Sequence, residues 1–182
     1  EEVFGAGVSP AQSVVKIIEE VRQNGDEAVL KYARMFDDPD ISSTSYDLSL
    51  LDQAESQIPK KLWNSLELAA ERIRDFHSKT MPKMEIKTSA GISEIVKPLQ
   101  NIGVYVPGGT AAYPSTVLMT VIPAKIAGCE SVCMVTPKLA GRDMNPVVLA
   151  AAKLAGVDAV YQVGGVPSIA ALAYGTETIP KV

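Results

Sequence analysis

From residue 101 onward the chain alternates short apolar runs with helical stretches, and few architectures accept that pattern. The runs fall at 102–106, 131–135 and 159–163, the helical stretches at 114–127, 146–154 and 169–174. A strand that is apolar on both faces belongs inside a parallel sheet, and parallel neighbours need a helical crossover between them. Right-handed crossovers follow. The expected fold class is therefore α/β. A Rossmann-like βα unit occupies 101–182, incomplete on its C-terminal side, and a mainly helical part with a short β-hairpin occupies 1–100. Pro123 lies inside the first of the crossover helices and is expected to kink it or to mark its last turns.

The first hundred residues read differently. Ser9 is placed to cap a helix that starts at Pro10, with Val14, Ile17, Ile18 and Val21 on its apolar face and an end near Asn24-Gly25. Asp26 is the expected cap of a second helix, which buries Val29, Leu30, Tyr32 and Ala33 and ends near Phe36-Asp37. A short helix is expected at 49–58. Pro59 opens the most regular helix, whose stripe Leu62, Leu66, Ala69, Ile73 and Phe76 opposes Lys60, Lys61, Glu67, Glu71 and Asp75. Two strands at 84–87 and 92–96, joined through Ala90-Gly91, form the hairpin.

Composition narrows the function classes. The 182 residues carry a net charge of −4 with charges interspersed, which leaves no footprint for nucleic acid or an anionic membrane. No apolar run has the length of a membrane span. The opening EEVFGAGVSP lacks the basic region of a secretory signal. Cys129 and Cys133 are the only cysteines, and two buried reduced thiols in a cytoplasmic protein is the expectation.

The segment with chemistry in it is GVYVPGGTAAYPSTVLM, residues 103–119. A strand runs into Pro107-Gly108-Gly109, and a helix begins near Pro114 with Ser115 and Thr116 in its first turn. Adjacent glycines let the backbone take positive φ and present N–H groups without a Cβ in the way. Such a loop at the carboxyl end of a parallel strand is where open α/β sheets bind ligands. It is equally the punctuation of an ordinary βα turn, and it is neither a GxGxxG fingerprint nor a Walker loop. A second Gly164-Gly165 pair, ahead of a helix near Pro167, repeats the arrangement and places both loops at one edge of one sheet. Tyr105, before the first pair, is either an aromatic edge for a ligand or an inward-facing strand residue.

Several segments in order resemble histidinol dehydrogenase: NGDEAVLKYARMFD, the 73–77 helix end, YVPGGTAAYPSTVLM, PAKIAGCESVCMVTP, LAAAKLAGVDAVYQVGG and IAALAYGTETIPKV. The resemblance spans nearly the whole chain and corresponds to the N-terminal portion of that enzyme, less than half of it. It implies a homodimeric, cytoplasmic oxidoreductase of histidine biosynthesis that uses zinc and NAD. Its small-molecule substrate, L-histidinol, is oxidised to L-histidine through L-histidinal. It also implies that Tyr105 contacts NAD, with Pro107, Gly108 and Gly109 beside it and Gly165 on the second loop. One departure stands out. Pro167 occupies the position where the family commonly carries an NAD-contacting glutamine, and proline offers neither an amide side chain nor a backbone donor. Ser168 is the nearest substitute.

The resemblance places the zinc ligands, the catalytic Glu-His pair and a third NAD contact beyond these residues. His77 is the only histidine, and a zinc site needs three or four converging ligands. No catalytic or metal-binding residue is therefore expected here. Two other functions remain open on the sequence: a paralogue oxidising another small alcohol, and a catalytically inactive module that binds nucleotide or assembles with a partner. An unpaired sheet edge and some exposed apolar surface are expected too.

Overall fold

The computed structural model describes residues 7–87, 89–109 and 111–182. The alternation from residue 101 folds as read. Strands β3 (Asn101–Tyr105), β4 (Ser131–Val135) and β5 (Ala159–Tyr161) form a parallel sheet in the order β3-β4-β5, with helices α3 (Pro114–Ala127), α4 (Pro146–Ala155) and α5 (Gly165–Tyr174) following them. Helix α3 runs unbroken through Pro123, which falls one turn from its end. The carbonyl that this proline leaves without its helical donor belongs to Met119, an exposed residue, and so is not sealed in the core. Helix α5 begins at Gly165, four positions before the expected 169, because Gly164 caps it directly after the strand.

The sheet is covered on both faces, and β4 shows the division residue by residue. Val132 and Met134 enter a core shared with α3, α4 and α2 (Lys60–Thr80), while Cys133 and Val135 enter a second core shared with α1 (Pro10–Phe36) and α5. That is the period-two alternation of a central strand, apolar on both sides because both sides are covered. Helices α3 and α4 therefore cross on one face and α5 returns on the other. It reaches β3, where a Cβ on Gly103 would lie 2.8 Å from Leu172 and 3.1 Å from Val182.

Helix α1 opens on the expected cap: the Ser9 hydroxyl accepts from the Gln12 N–H, and the Gln12 amide oxygen accepts from the Ser9 N–H. It is broken at Gly25 (φ 51°, ψ −132°), where the sequence reads a helix end. Asp26 does not cap the second half of the helix. Its N–H donates to the Glu177 carboxylate (2.8 Å), and its Oδ1 accepts from the Thr176 and Thr178 hydroxyls (2.5 and 3.0 Å). The GTET segment after α5 thus locks onto the helix break and holds α1 against α5.

Three further expectations need correcting. Residues 49–58 give only a 3-10 turn at Leu48–Gln53, capped by Asp47. On α2 the most deeply buried residues are Trp63, Leu66 and Ala70, and Phe76 is 61% exposed, because the helix extends past the core it packs on. Cys129 is half-buried, whereas Cys133 is buried, its thiol pushed up to about 11 by that burial. The hairpin forms as β1 (Glu85–Lys87) and β2 (Ser93–Ile95), with Ile86, Ile92, Ile95 and Leu99 exposed.

The outer edge of β5 is not bare. Tyr46 donates to the Val160 carbonyl, and Gln162 donates to the Thr44 carbonyl, so residues 44–46 lie antiparallel along it. On the other flank no described strand pairs with β3.

Candidate functional site

The carboxyl ends of the three strands bring three loops together, and one residue organises them. Pro137, just beyond β4, is wedged between the two Gly-Gly loops. A Cβ on Gly164 would sit 2.7 Å from the Pro137 Cβ, and one on Gly108 would overlap the same ring. The first glycine of each pair is thus required by close approach, and the second by conformation: Gly109 has φ 137° and Gly165 has φ 61°. The sequence places both loops at one edge, and the structure puts them on opposite sides of a single proline.

Between the loop after β3 and the loop after β4 lies a cleft of about 230 Å3. Pro107, Gly108 and Gly109 line one side; Thr136, Arg142, Asp143 and Asn145 line the other. Asn145 caps α4, its side chain accepting from the Val147 N–H at 2.9 Å. The cleft opens at the carboxyl ends of β3 and β4, on the face that carries α3 and α4, and the carboxyl edge is where open α/β sheets bind ligands.

The remaining sequence candidates scatter around this cleft. Tyr105 ends β3 and is 37% exposed, so it is not an inward strand residue. It shares the alternation of Gly103 and so belongs to the α5 face, opposite the cleft. Gly165 is exposed at the start of α5, outside the cleft lining. Ser115 and Thr116 do not line it either; α3 starts from Tyr113 with no side-chain cap. Pro167 is buried, as is Ser168, whose hydroxyl donates to the Gly165 carbonyl at 2.8 Å. That donor is spent inside the first turn of α5.

Two acids that sequence reasoning passed over fix the loops to one another. Asp37 accepts from the Gly164 N–H at 2.9 Å, and its carbonyl accepts from the Ala140 N–H. Burial holds its carboxyl above the ordinary range. Asp38, buried, accepts from Lys138 at 2.7 Å and from the Asp40 N–H. The Lys138 bond holds Asp38 below the ordinary carboxylate range, and the same bond raises Lys138. The only local signal for this was an acid pair directly after a helix end.

The pH effect of this pair has a definite sign. A carboxylate with a lowered folded value stabilises fully above its ordinary value and loses that contribution as pH falls through the folded one. The gap in urea midpoint between the wild type and Asp38→Asn should therefore be full at neutral pH and begin to narrow only below about pH 4. A gap that persists unchanged at pH 3 would show that the ion pair is not its source. The Lys138 side of the pair is present below the ordinary lysine value and is lost only as pH rises through its raised one.

Among the described residues no group of three or more His, Cys, Asp or Glu could hold a metal ion. His77 is half-buried against Phe76, with ring centroids 5.2 Å apart. No described helix is long and apolar enough to cross a membrane.

Comparison with known proteins converges on one family. The profile of histidinol dehydrogenase matches residues 7–182. The histidinol dehydrogenase of Methanosarcina mazei is 42% identical over 183 residues, covering 98% of this chain and 42% of that protein. That of Carboxydothermus hydrogenoformans is 46% identical over 176 residues, covering 94% of this chain and 41% of its own. The crystal structure of histidinol dehydrogenase from Elizabethkingia anophelis superposes with a TM-score of 0.86 at 32% identity, over 98% of this chain and 42% of that one. The chain thus spans about two-fifths of the length of these relatives.

Proposed function

The chain belongs to the histidinol dehydrogenase family, and on that footing we propose that it forms the cofactor-facing part of an enzyme that oxidises L-histidinol to L-histidine through L-histidinal. NAD accepts the hydride in that chemistry. The observation carrying this reading is the Pro107-Gly108-Gly109 loop, which lines a cleft at the carboxyl edge of the parallel sheet. A loop with no Cβ at two successive positions lets a nucleotide lie against the backbone, and the exposed Tyr105 ring, on the other face of the strand end, offers an aromatic edge to a part of the dinucleotide that reaches round the loop.

The reading assigns these residues binding and positioning. Gly109 has open space where a Cβ would stand, which suits close approach of a ligand. The second loop fits the cofactor less well, since Pro167 is buried and Ser168 is committed to Gly165. We therefore assign the grip chiefly to the first loop, with Gly165 at its margin. The described residues do not fit a metal site, and none of them is given a metal-bound role. Function as a cytoplasmic homodimer is part of the same proposal.

NAD titrated into the wild type and into Tyr105→Ala tests the cofactor assignment. Loss of an aromatic contact should weaken binding by roughly threefold to tenfold; unchanged affinity removes Tyr105 from the site. Faster turnover of another alcohol than of histidinol by the complete protein would overturn the substrate assignment.

A further inference from the structure

The cleft beside Gly108 and Gly109 carries polar groups that an ordinary βα turn does not need, and they come from the loop after β4. Thr136 is 4% exposed and lines the cleft. Its N–H is taken by the Tyr161 carbonyl, which continues the register of β4 by one residue. Val132 and Met134 lie on the α3/α4 face and Val135 on the other. The alternation therefore turns the Thr136 side chain to the face on which the cleft opens. Among the described residues its hydroxyl makes no hydrogen bond, and it is not one of the side-chain atoms sealed from water without a partner, so it opens onto the cleft. A hydroxyl that opens onto the cleft without being used by the fold is free to donate to a ligand acceptor.

A cation stands beside it. Arg142 lines the same cleft and forms no ion pair among the described residues. The N–H groups of Gly108 and Gly109 are likewise unclaimed. Helix α4 points its N-terminus at the cleft but offers no spare donor. Pro146 has no N–H, Val147 is bonded to the Asn145 side chain, and Val148 to the Asn145 carbonyl. Direct contacts must therefore come from Thr136, Arg142 and the glycine backbone, with the helix adding only its dipole. Asp143, the acid on the lining, also borders a neighbouring cavity shared with Lys138, whose charge opposes it there.

We propose that this cleft is a phosphoryl-binding subsite, in which the Thr136 hydroxyl donates to, and the Arg142 guanidinium pairs with, a phosphate of a nucleotide lying along Gly108-Gly109. A guanidinium matches phosphate geometry in a fork, and charge-assisted bonds of this kind are the strong ones. The volume of about 230 Å3 holds one part of a dinucleotide rather than all of it. The identity of the ligand rests on the NAD reading above; the anion preference does not.

Calorimetric titration of the protein with AMP, adenosine, inorganic phosphate and NAD decides it. The wild type should bind AMP at least about tenfold tighter than adenosine. Thr136→Val and Arg142→Gln should each remove most of that preference, and Arg142→Lys should restore part of it. Tyr105→Ala, across the strand from the cleft, should leave the ratio of AMP to adenosine affinity intact. Thr136→Val should also melt no lower than the wild type, since it removes a hydroxyl with no partner; a clear loss of stability would mean that the hydroxyl serves the fold and would overturn its role here. Equal binding of AMP and adenosine, or a preference that survives both substitutions, would overturn the subsite. If NAD still binds through Tyr105 in that case, the cofactor reading stands alone. If AMP and phosphate bind through Arg142 while NAD does not, the subsite stands and the dinucleotide reading falls.

Discussion

Gly25→Ala is expected to lower the free energy of unfolding by about 2–3 kcal/mol, the cost of forcing a side chain into a sparsely allowed backbone conformation. Gly25 combines φ 51° with ψ −132°, a combination at the first central position of a type II′ turn and open essentially to glycine. A Cβ there would also run into the Glu177 carboxylate. The end of a glutamate side chain moves readily, but moving it breaks the bond to the Asp26 N–H that starts the second half of α1. Equilibrium unfolding in urea measures the loss. Gly25→Asn sharpens the test, because asparagine relieves strain in the left-handed helical region and this conformation lies elsewhere. Restored stability in the Asn variant, or an Ala variant within about 0.5 kcal/mol of wild type, would show that the break is not built as described.

The second large effect lies at the carboxyl edge of the sheet. Gly164→Ala should cost about 1–3 kcal/mol through overpacking against Pro137. The backbone at Gly164 (φ −115°, ψ −176°) is extended and accepts any residue, so the penalty is wholly a matter of space. A Cβ at 2.7 Å meets the Pro137 Cβ, a ring atom close to the backbone that cannot swing aside. Pro137→Gly, which removes that atom, should therefore recover part of the loss in the Gly164→Ala background. Contacting residues couple by about 0.5–3 kcal/mol. Strict additivity of the two substitutions in a double-mutant cycle would break the link between them. Gly108→Ala presses on the same ring from the other loop, and it should weaken NAD binding along with stability.

How much of this could be read from the residues depends on how local the cause is. The runs at 131–135 and 146–154 announced β4 and α4 because a buried strand and a proline-started helix carry their signatures within a few positions. The two Gly-Gly pairs were legible as loops, and their common edge followed from parallel topology. Their division of labour was not, because the Pro137 ring that excludes a Cβ from Gly108 and Gly164 lies on a third loop. Asp26 shows the limit most plainly. After Asn-Gly it reads as a helix cap, yet the group that meets the orphan N–H is Glu177, 151 positions away. Thr136 and Arg142 had no spacing or motif to mark them, since only the approach of the loop after β3 turns them into walls of a cleft. Phe76 continued the stripe of α2 beyond the core that the stripe serves. The antiparallel strap at residues 44–46 was hidden for the same reason, its partner β5 lying more than a hundred positions on.

The lock between Asp26 and residues 176–178 has a consequence for the order in which the molecule acquires structure. A chain is synthesised from its N-terminus and tends to fold in whole units. Helix α1 is made before the sheet, yet the groups that stitch its broken middle, and the helix it packs on, come after β5. The sheet face formed by Cys133, Val135, Tyr161 and Val163 is closed by α1 and α5 together, with Ile179 beside them. A nascent chain paused just after β5 has strands and crossover helices in hand and half of its sheet still greasy and open. Closure of that face therefore waits on α5 and residues 176–179, which follow the whole sheet in the chain.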